Sequence, residues 1–436
     1  MLLIYVKYKT SRLEYTWDFI FKIVYKVNYK LTDSIDEIKT YEGPKFAYAS
    51  EKIENILWIW SSNLLFEESI ENKITESNDN IWGYVLFPSV KKESLLPFDL
   101  PSAVFWLITR YEEYLANYKN LDEHKRYKYT CSWLFKNDLL NKPIVNIWLE
   151  RFIKILKNYF PNLEIKSNAN YNLISTIDID NFFACKGKPI YKSVLNTFRF
   201  FLNGRIKISE KCIKFLFTHK DDPFDTYDEI IKINRDYGLK PLFFILTSEK
   251  TKYDRNLNPE STLFIEKTKS LLKNSIVGIH FSYYSHNKKS FTFEKKLLEK
   301  IITCNIFSNR FHYLRFNLPD SYQQIYDIGI REDYSMYYPD INSFRSGTCT
   351  PYYFFNLKTN RKTDLKIYPY NFMDKHLLHK IGSYESILNE IEKNIYAIKR
   401  FNGTFVLAWH NENFYNIKAG LNLKDWYKKI LEIALK

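Results

Sequence analysis

No two cysteines in this sequence stand close enough to frame a metal ribbon. Cys131, Cys185, Cys212, Cys304 and Cys349 are odd in number and far apart, with no Cys-x-x-Cys pair among them. That spacing excludes a zinc ribbon and argues against a disulfide framework, so a reducing compartment is expected. Long apolar runs are also missing. No stretch of about 18 uninterrupted apolar residues occurs, and no transmembrane helix is predicted. The opening Met1-Leu2-Leu3-Ile4-Tyr5-Val6-Lys7 is too short an apolar run for a signal peptide. A cytoplasmic protein is the expectation. Glycine is scarce, at 11 residues. Lys and Arg outnumber Asp and Glu by 64 to 50, for a net charge of +14, which suits an anionic partner. The basic residues are spread along the chain, however, and no block resembles a nucleic-acid-binding arm, so nucleic acid is not expected as a partner.

What is present begins with aromatics, 35 Tyr and 34 Phe, and with enough hydrophobic residues (45%) for an ordinary core. At 436 residues two domains are expected. Residues 1–165 mix helix and strand signals without a convergent group of His, Cys or acids, and read as an accessory α+β domain. Phe98-Asp99-Leu100-Pro101-Ser102 looks like a turn leading into a capped helix. The arginine and acids of Thr109-Arg110-Tyr111-Glu112-Glu113-Tyr114 read as a helix-surface network. Pro143 begins a strongly amphipathic helix. Residues 162–170 form the expected junction.

From 171 to 436 short apolar strands alternate with longer helical stretches. Strands are predicted at 173–180, 241–247, 275–283, 311–317, 328–335, 366–372 and 404–410. Helices are predicted at 192–203, 225–237, 261–273, 291–302, 319–327, 383–398 and 424–435. Such alternation means βαβ units around a parallel sheet. The fold class is therefore α/β, a distorted (β/α) barrel of about seven strands preceded by the accessory domain.

The chemistry collects at the strand ends. Thr176-Ile177-Asp178-Ile179-Asp180-Asn181 delivers two carboxylates on one side of a strand, unfavourable unless a metal or proton lies between them. His280 sits on the third predicted strand, His312 on the fourth, Glu332 and Asp333 end the fifth, Met373-Asp374 end the sixth, and Trp409-His410-Asn411-Glu412 end the last. Only eight histidines exist in the chain, and three lie on these strands. Acids and imidazoles at successive strand ends are what a metal hydrolase needs.

These segments, with Asp222-Pro223-Phe224-Asp225-Thr226-Tyr227, Gly278-Ile279-His280-Phe281-Ser282-Tyr283, Glu332-Asp333-Tyr334-Ser335-Met336 and Phe344-Arg345-Ser346-Gly347-Thr348-Cys349, resemble in order and spacing the polysaccharide deacetylase (NodB-homology, carbohydrate esterase family 4) superfamily. The closer likeness is to bacterial members with a long N-terminal extension, which Leu100-Pro101, Arg110-Tyr111-Glu112-Glu113-Tyr114 and Asp122-Glu123-His124 also resemble. The resemblance implies removal of N-acetyl groups from amino sugars with a divalent metal, usually zinc. By position it implies Asp178 as general base, Asp180 and His280 as metal ligands, Arg345 as the arginine that orients the catalytic acid, and His410 as the acid that protonates the leaving amine. Tyr283, Asp333, Trp409 and Asn411, in the same motifs, are expected to bind substrate.

Two departures stand out. Ile179 separates aspartates that the family has adjacent, so the base and ligand roles could be exchanged. The family's second metal histidine would fall at position 284, which is Tyr284. His312, on a neighbouring strand end, is the expected replacement, with His286 as the alternative. The expected partner is an N-acetylated amino-sugar glycan or its lipid-linked precursor. The competing expectation is a catalytically inactive carbohydrate-binding or assembly protein on the same fold.

Overall fold

The computed structural model describes residues 1–166 and 170–436, so the middle of the expected junction, 167–169, lies outside the described residues. The chain falls into two compact units. The first comprises Met1–Tyr171 together with Phe344–Lys366 and Phe401–Gly403, and the second Asn172–Ser343, Ile367–Arg400 and Thr404–Lys436. The division is not the contiguous one expected, because a segment late in the chain belongs to the first unit.

In the first unit a sheet runs in the order Tyr29–Thr32, Leu2–Val6, Lys45–Ala49, Trp58–Trp60, with every pairing parallel. The helices Ser11–Trp17 and Ile35–Thr40 lie between strands in the chain. This is α/β construction and corrects the α+β expectation; the antiparallel hairpin of Glu76–Asp79 and Gly83–Leu86 is an addition to it. The Leu100–Ile108 helix is capped as its sequence predicts, Asp99 accepting from the Ser102 amide, with Pro101 in the first turn. The late segment is fastened to the Ile144–Tyr159 helix, where the Val145 amide donates to Gly347 O and Asn146 bonds Thr348 and Thr350.

The second unit is built on parallel strands: β1 (Asn172–Ile179), β2 (Leu242–Leu246), β3 (Ile276–Phe281), β4 (Ser308–Phe311), β5 (Glu332–Asp333), β6 (Phe372–Met373) and β7 (Thr404–His410). Within a sheet of nine strands they run in the order β5-β4-β3-β2-β1-β7-β6. β1, β2 and β7 are buried almost throughout, as expected of parallel strands covered on both faces. Among the described residues no pairing joins β5 to β6, and no closed barrel is shown. The predicted 311–317 strand is displaced: β4 ends at Phe311 and His312–Leu314 form a 3₁₀ turn, with Tyr313 and Leu314 at positive φ. The 328–335 strand shrinks to Glu332–Asp333 and the 366–372 strand to Phe372–Met373. Helices not foreseen include α2 (Ile206–Thr218), which follows α1 (Ile190–Leu202) across a short turn.

Parallel register sets the site. β7 pairs with β1 so that His410 lies opposite Asp178, and β4 pairs with β3 so that Arg310 lies opposite His280. Gly278 gives β3 its fit between its neighbours. A Cβ there would meet the Phe244 ring at 2.7 Å and the Ser308 carbonyl at 2.9 Å.

Candidate metal centre and active site

Asp180, His280 and His312 present ligand atoms that all lie within 4.8 Å of one another. His280 Nε2 is 3.3 Å from Asp180 Oδ1, and His312 Nε2 is 3.5 Å from Asp180 Oδ2. Both rings are buried and each is held by its other nitrogen: His280 Nδ1 lies 2.8 Å from Arg310 O, and His312 Nδ1 lies 2.8 Å from Asp254 Oδ1. Outer partners of this kind fix tautomer and ring orientation in metal-binding histidines. Among the described residues the buried Asp180 Oδ1 accepts no hydrogen bond, a costly condition for a carboxylate oxygen. One carboxylate and two imidazoles, with an orphaned oxygen among them, fit a divalent cation that keeps an open position. Burial alone would raise the Asp180 pKa, yet the charges of His312 and Lys375 hold it well below the ordinary carboxylate range. His312 is the converse: burial disfavours its charge, but Asp180 and Asp254 bring it up to about 9.

His286 is exposed and turns its Nδ1 to the Tyr284 carbonyl. His312 is the histidine the structure brings to Asp180 and His280.

Asp178 points into the same site from β1. Its Oδ1 is 2.7 Å from Arg310 Nη1, and its Oδ2 is 3.8 Å from His410 Nε2. Against the penalty of burial, Arg310 and the nearby His280 and His410 keep its pKa below the usual value. His410 in turn gives Nδ1 to Asp374 Oδ1 at 2.6 Å, while its backbone amide donates to Asp374 Oδ2. Burial opposes the charged ring, but the Asp374 carboxylate outweighs it and the His410 pKa is raised.

The arginine on the Asp178 carboxylate is therefore Arg310, which corrects the expectation for Arg345. Arg310 Nε also donates to Tyr334 O, and its guanidinium lies 4.8 Å from the centres of both the Phe244 and Tyr370 rings. Arg345 belongs to the first unit, where it gives Nε and Nη2 to Glu113. Glu113 also accepts from Arg110, which donates to Glu112 as well. This network is buried, not the helix-surface network expected: Arg110 is 1% exposed. Neutralised in pairs, it holds the Arg345 segment to the helix-turn that carries Glu113.

All four expected substrate contacts are buried. Trp409, on the opposite face of β7 from His410, packs against Tyr427 and Phe372. Asp333 accepts from Asn309, Tyr322 and Ser335, and burial raises its pKa to about 6. Asn411 Nδ2 donates to Asn181 O, Phe224 O and the Tyr227 hydroxyl, fastening loops together. Tyr283 stacks on Tyr253 at 3.9 Å, and Tyr253 lines the cleft.

That cleft, about 1040 Å³, has Asp180 and His312 in its wall. Lys188, Lys192, Arg199, Arg205, Lys250 and Arg255 also line it, against the acids Asp180 and Glu412. Sequence reasoning missed Arg310, Asp254 and Lys375, whose Nζ is 3.7 Å from Asp180 Oδ2. For Arg310 a signal existed, since strand alternation puts it on the same side as His312. Asp254 lies in a polar loop, and nothing in its neighbours marks it. Among the described residues no helix is long and apolar enough to cross a membrane.

Residues 2–161 match the model of a family of unknown function (DUF7033). No curated protein matches the sequence. Among solved structures the chain is similar to a crystal structure of a provisionally assigned polysaccharide deacetylase from Mycobacterium smegmatis. The identity is 11% and the TM-score 0.39, over 61% of this chain and 84% of that one. A likeness of that extent decides neither fold nor activity, and the family of the whole chain is not fixed by it.

Proposed function

We propose that the protein is a metal-dependent hydrolase that removes N-acetyl groups from an amino-sugar glycan or its lipid-linked precursor. The observation that carries the reading is the convergence of Asp180, His280 and His312 on one point beside the Asp178–His410 pair. The motif resemblance of residues 176–181, 278–283 and 409–412 supports the substrate class.

Asp180, His280 and His312 would hold the ion, and zinc suits that donor set. Bound there, it would supply Lewis acidity toward an acyl carbonyl and toward water. The protein's own groups do the proton work. Asp178, kept ionised by Arg310, takes a proton from the attacking water. His410, kept charged by Asp374, gives one to the departing nitrogen. Arg310 is the positioning residue for Asp178, the part first expected of Arg345. Tyr253 at the cleft wall, backed by the buried Tyr283, offers a face on which a sugar ring stacks. The exchange of roles between the two aspartates is disfavoured, because Asp180 sits between the imidazoles while Asp178 engages Arg310 through Oδ1 and keeps only Oδ2 for other work.

The test is release of acetate from a panel of N-acetylated amino-sugar oligosaccharides and their lipid-linked forms, with zinc present. Asp178→Asn and His410→Ala should each lower the rate roughly 100-fold or more while leaving metal content unchanged. Metal-replete, folded protein that releases no acetate from any member would overturn the hydrolase reading.

A further inference from the structure

The helix α1 is inside out. Its buried side carries the small polar residues Ser193 and Thr197, while Ile190, Tyr191, Val194, Leu195, Phe198, Phe201 and Leu202 are exposed. Phe198 is 61% exposed. The exposed set repeats at helical spacing, so the helix is amphipathic with its apolar face outward. The buried side is held by hydrogen bonds instead: Ser193 Oγ to Cys185 O, and Ser209 Oγ on α2 to Thr197 O. The neighbouring α2 packs conventionally through Ile208, Cys212 and Phe215, yet adds exposed Ile206, Ile213 and Phe217, the last at 84%. So many exposed apolar side chains on two adjacent helices mark a docking face and not ordinary surface scatter.

Its charge says what docks. Between Lys186 and Lys220 the sequence holds nine Lys or Arg and one acid, Glu210, so this short stretch contains more than half of the chain's net +14. We propose that the α1–α2 hairpin docks on an anionic lipid bilayer, its apolar face entering the acyl boundary and its exposed cations, Lys192, Arg199, Lys207 and Lys214 among them, meeting the head groups. A symmetric second copy would bring Lys192 and Arg199 towards their own equivalents. A nucleic acid could stack on Tyr191, Phe198 and Phe201 but would leave the aliphatic Ile190, Val194, Leu195 and Leu202 uncovered. The docking stands whether or not the hydrolase reading holds. Leu195, Phe198 and Leu202 also line the cleft that contains Asp180 and His312, so docking would set the mouth of that cleft at the lipid surface.

The test is co-sedimentation of the full chain with phosphatidylcholine vesicles, with and without phosphatidylglycerol. The expected result is association with the anionic vesicles, weakened at least about ten-fold by omitting phosphatidylglycerol or by high salt, the loss expected of electrostatically assisted interfacial binding. The double variant Leu195→Ser/Phe198→Ser should lose it while keeping the wild-type melting temperature, because both side chains are exposed. Tyr118→Ser, at a still more exposed aromatic in the first unit, should bind as wild type, and so should Asp180→Asn, which separates this idea from the metal site. Wild-type protein that ignores anionic vesicles, or a double variant that binds them unchanged, would overturn the proposal. So would a dimer, or binding to single-stranded RNA, that the double variant abolishes in the absence of vesicle binding.

Discussion

Asp254 Oδ1 lies 2.8 Å from Nδ1 of His312, on the ring nitrogen opposite the one that faces Asp180. Asp254 is itself fixed, accepting from the Tyr283 amide on Oδ1 and from the Thr251 hydroxyl on Oδ2. The contact orients the ring and makes Nε2 a better donor to a cation. Asp254→Asn should weaken zinc binding by roughly 10- to 100-fold without unfolding the protein. Competition with a chromophoric chelator measures it, and unchanged affinity would remove Asp254 from the account.

Arg310 and Asp178 are a buried pair, both almost fully shielded from water. Breaking it from one side leaves a carboxylate without its cation. Arg310→Met should therefore lower stability by about 3–5 kcal/mol. Removing both charges in Arg310→Met/Asp178→Leu should recover much of that loss, since a buried pair contributes little net stability over an apolar one. Urea unfolding of the three proteins decides it. A double variant as unstable as the single would mean that Arg310 acts mainly through the Phe244 and Tyr370 rings it packs between.

The titrations of the site run in opposite directions. Asp178 and Asp180 are depressed in the fold, so their stabilisation is present above the unfolded carboxylate pKa and is lost as pH falls through the folded values. His312 and His410 are raised, so in metal-free protein their contribution is full below the unfolded imidazole pKa and fades as pH rises, for His312 through about 9. A cation needs His312 without its proton. The increase in melting temperature caused by zinc should accordingly be larger at high pH than at low pH. Thermal melts with zinc and with chelator across this range test the sign, and an increment that shrinks as pH rises would contradict it.

Gly278 lies two residues before His280 on β3, so both are on the same side of the strand. A methyl at Gly278 would press on the Phe244 ring and the Ser308 backbone. Gly278→Ala should cost about 1–3 kcal/mol by overpacking and, by shifting β3, should loosen metal binding as well. Denaturant unfolding with parallel zinc titration would show both effects, and a fully stable variant would mean the sheet can spread there.

How far the sequence reveals this site depends on where each residue sits. Asp178, Asp180, His280 and His410 could be found because they terminate long apolar strands, where period and position coincide. The β7 strand, Thr404–His410, matches its predicted bounds for the same reason. His312 could be anticipated only as a neighbouring strand end, and its 3₁₀ turn with Tyr313 at positive φ has no turn residue to announce it. Arg345 was misassigned because a motif position carries no information about which carboxylate lies nearest; Glu113 competes for it. Trp409 and Asn411 adjoin His410, but strand alternation and loop packing turn them inward. The late segment 344–366 could not be given to the first unit from sequence, since its anchors on Asn146 and Val145 are some 200 residues away in the chain.

The central claim is that Asp180, His280 and His312 form one cation site, and elemental analysis of the purified protein tests it most directly. About one divalent ion per chain is expected, lost in Asp180→Asn and in His312→Ala and retained in His286→Ala. A folded protein that contains no ion and takes up none from added zinc, or one whose ion survives the loss of Asp180 and His312, would contradict the account.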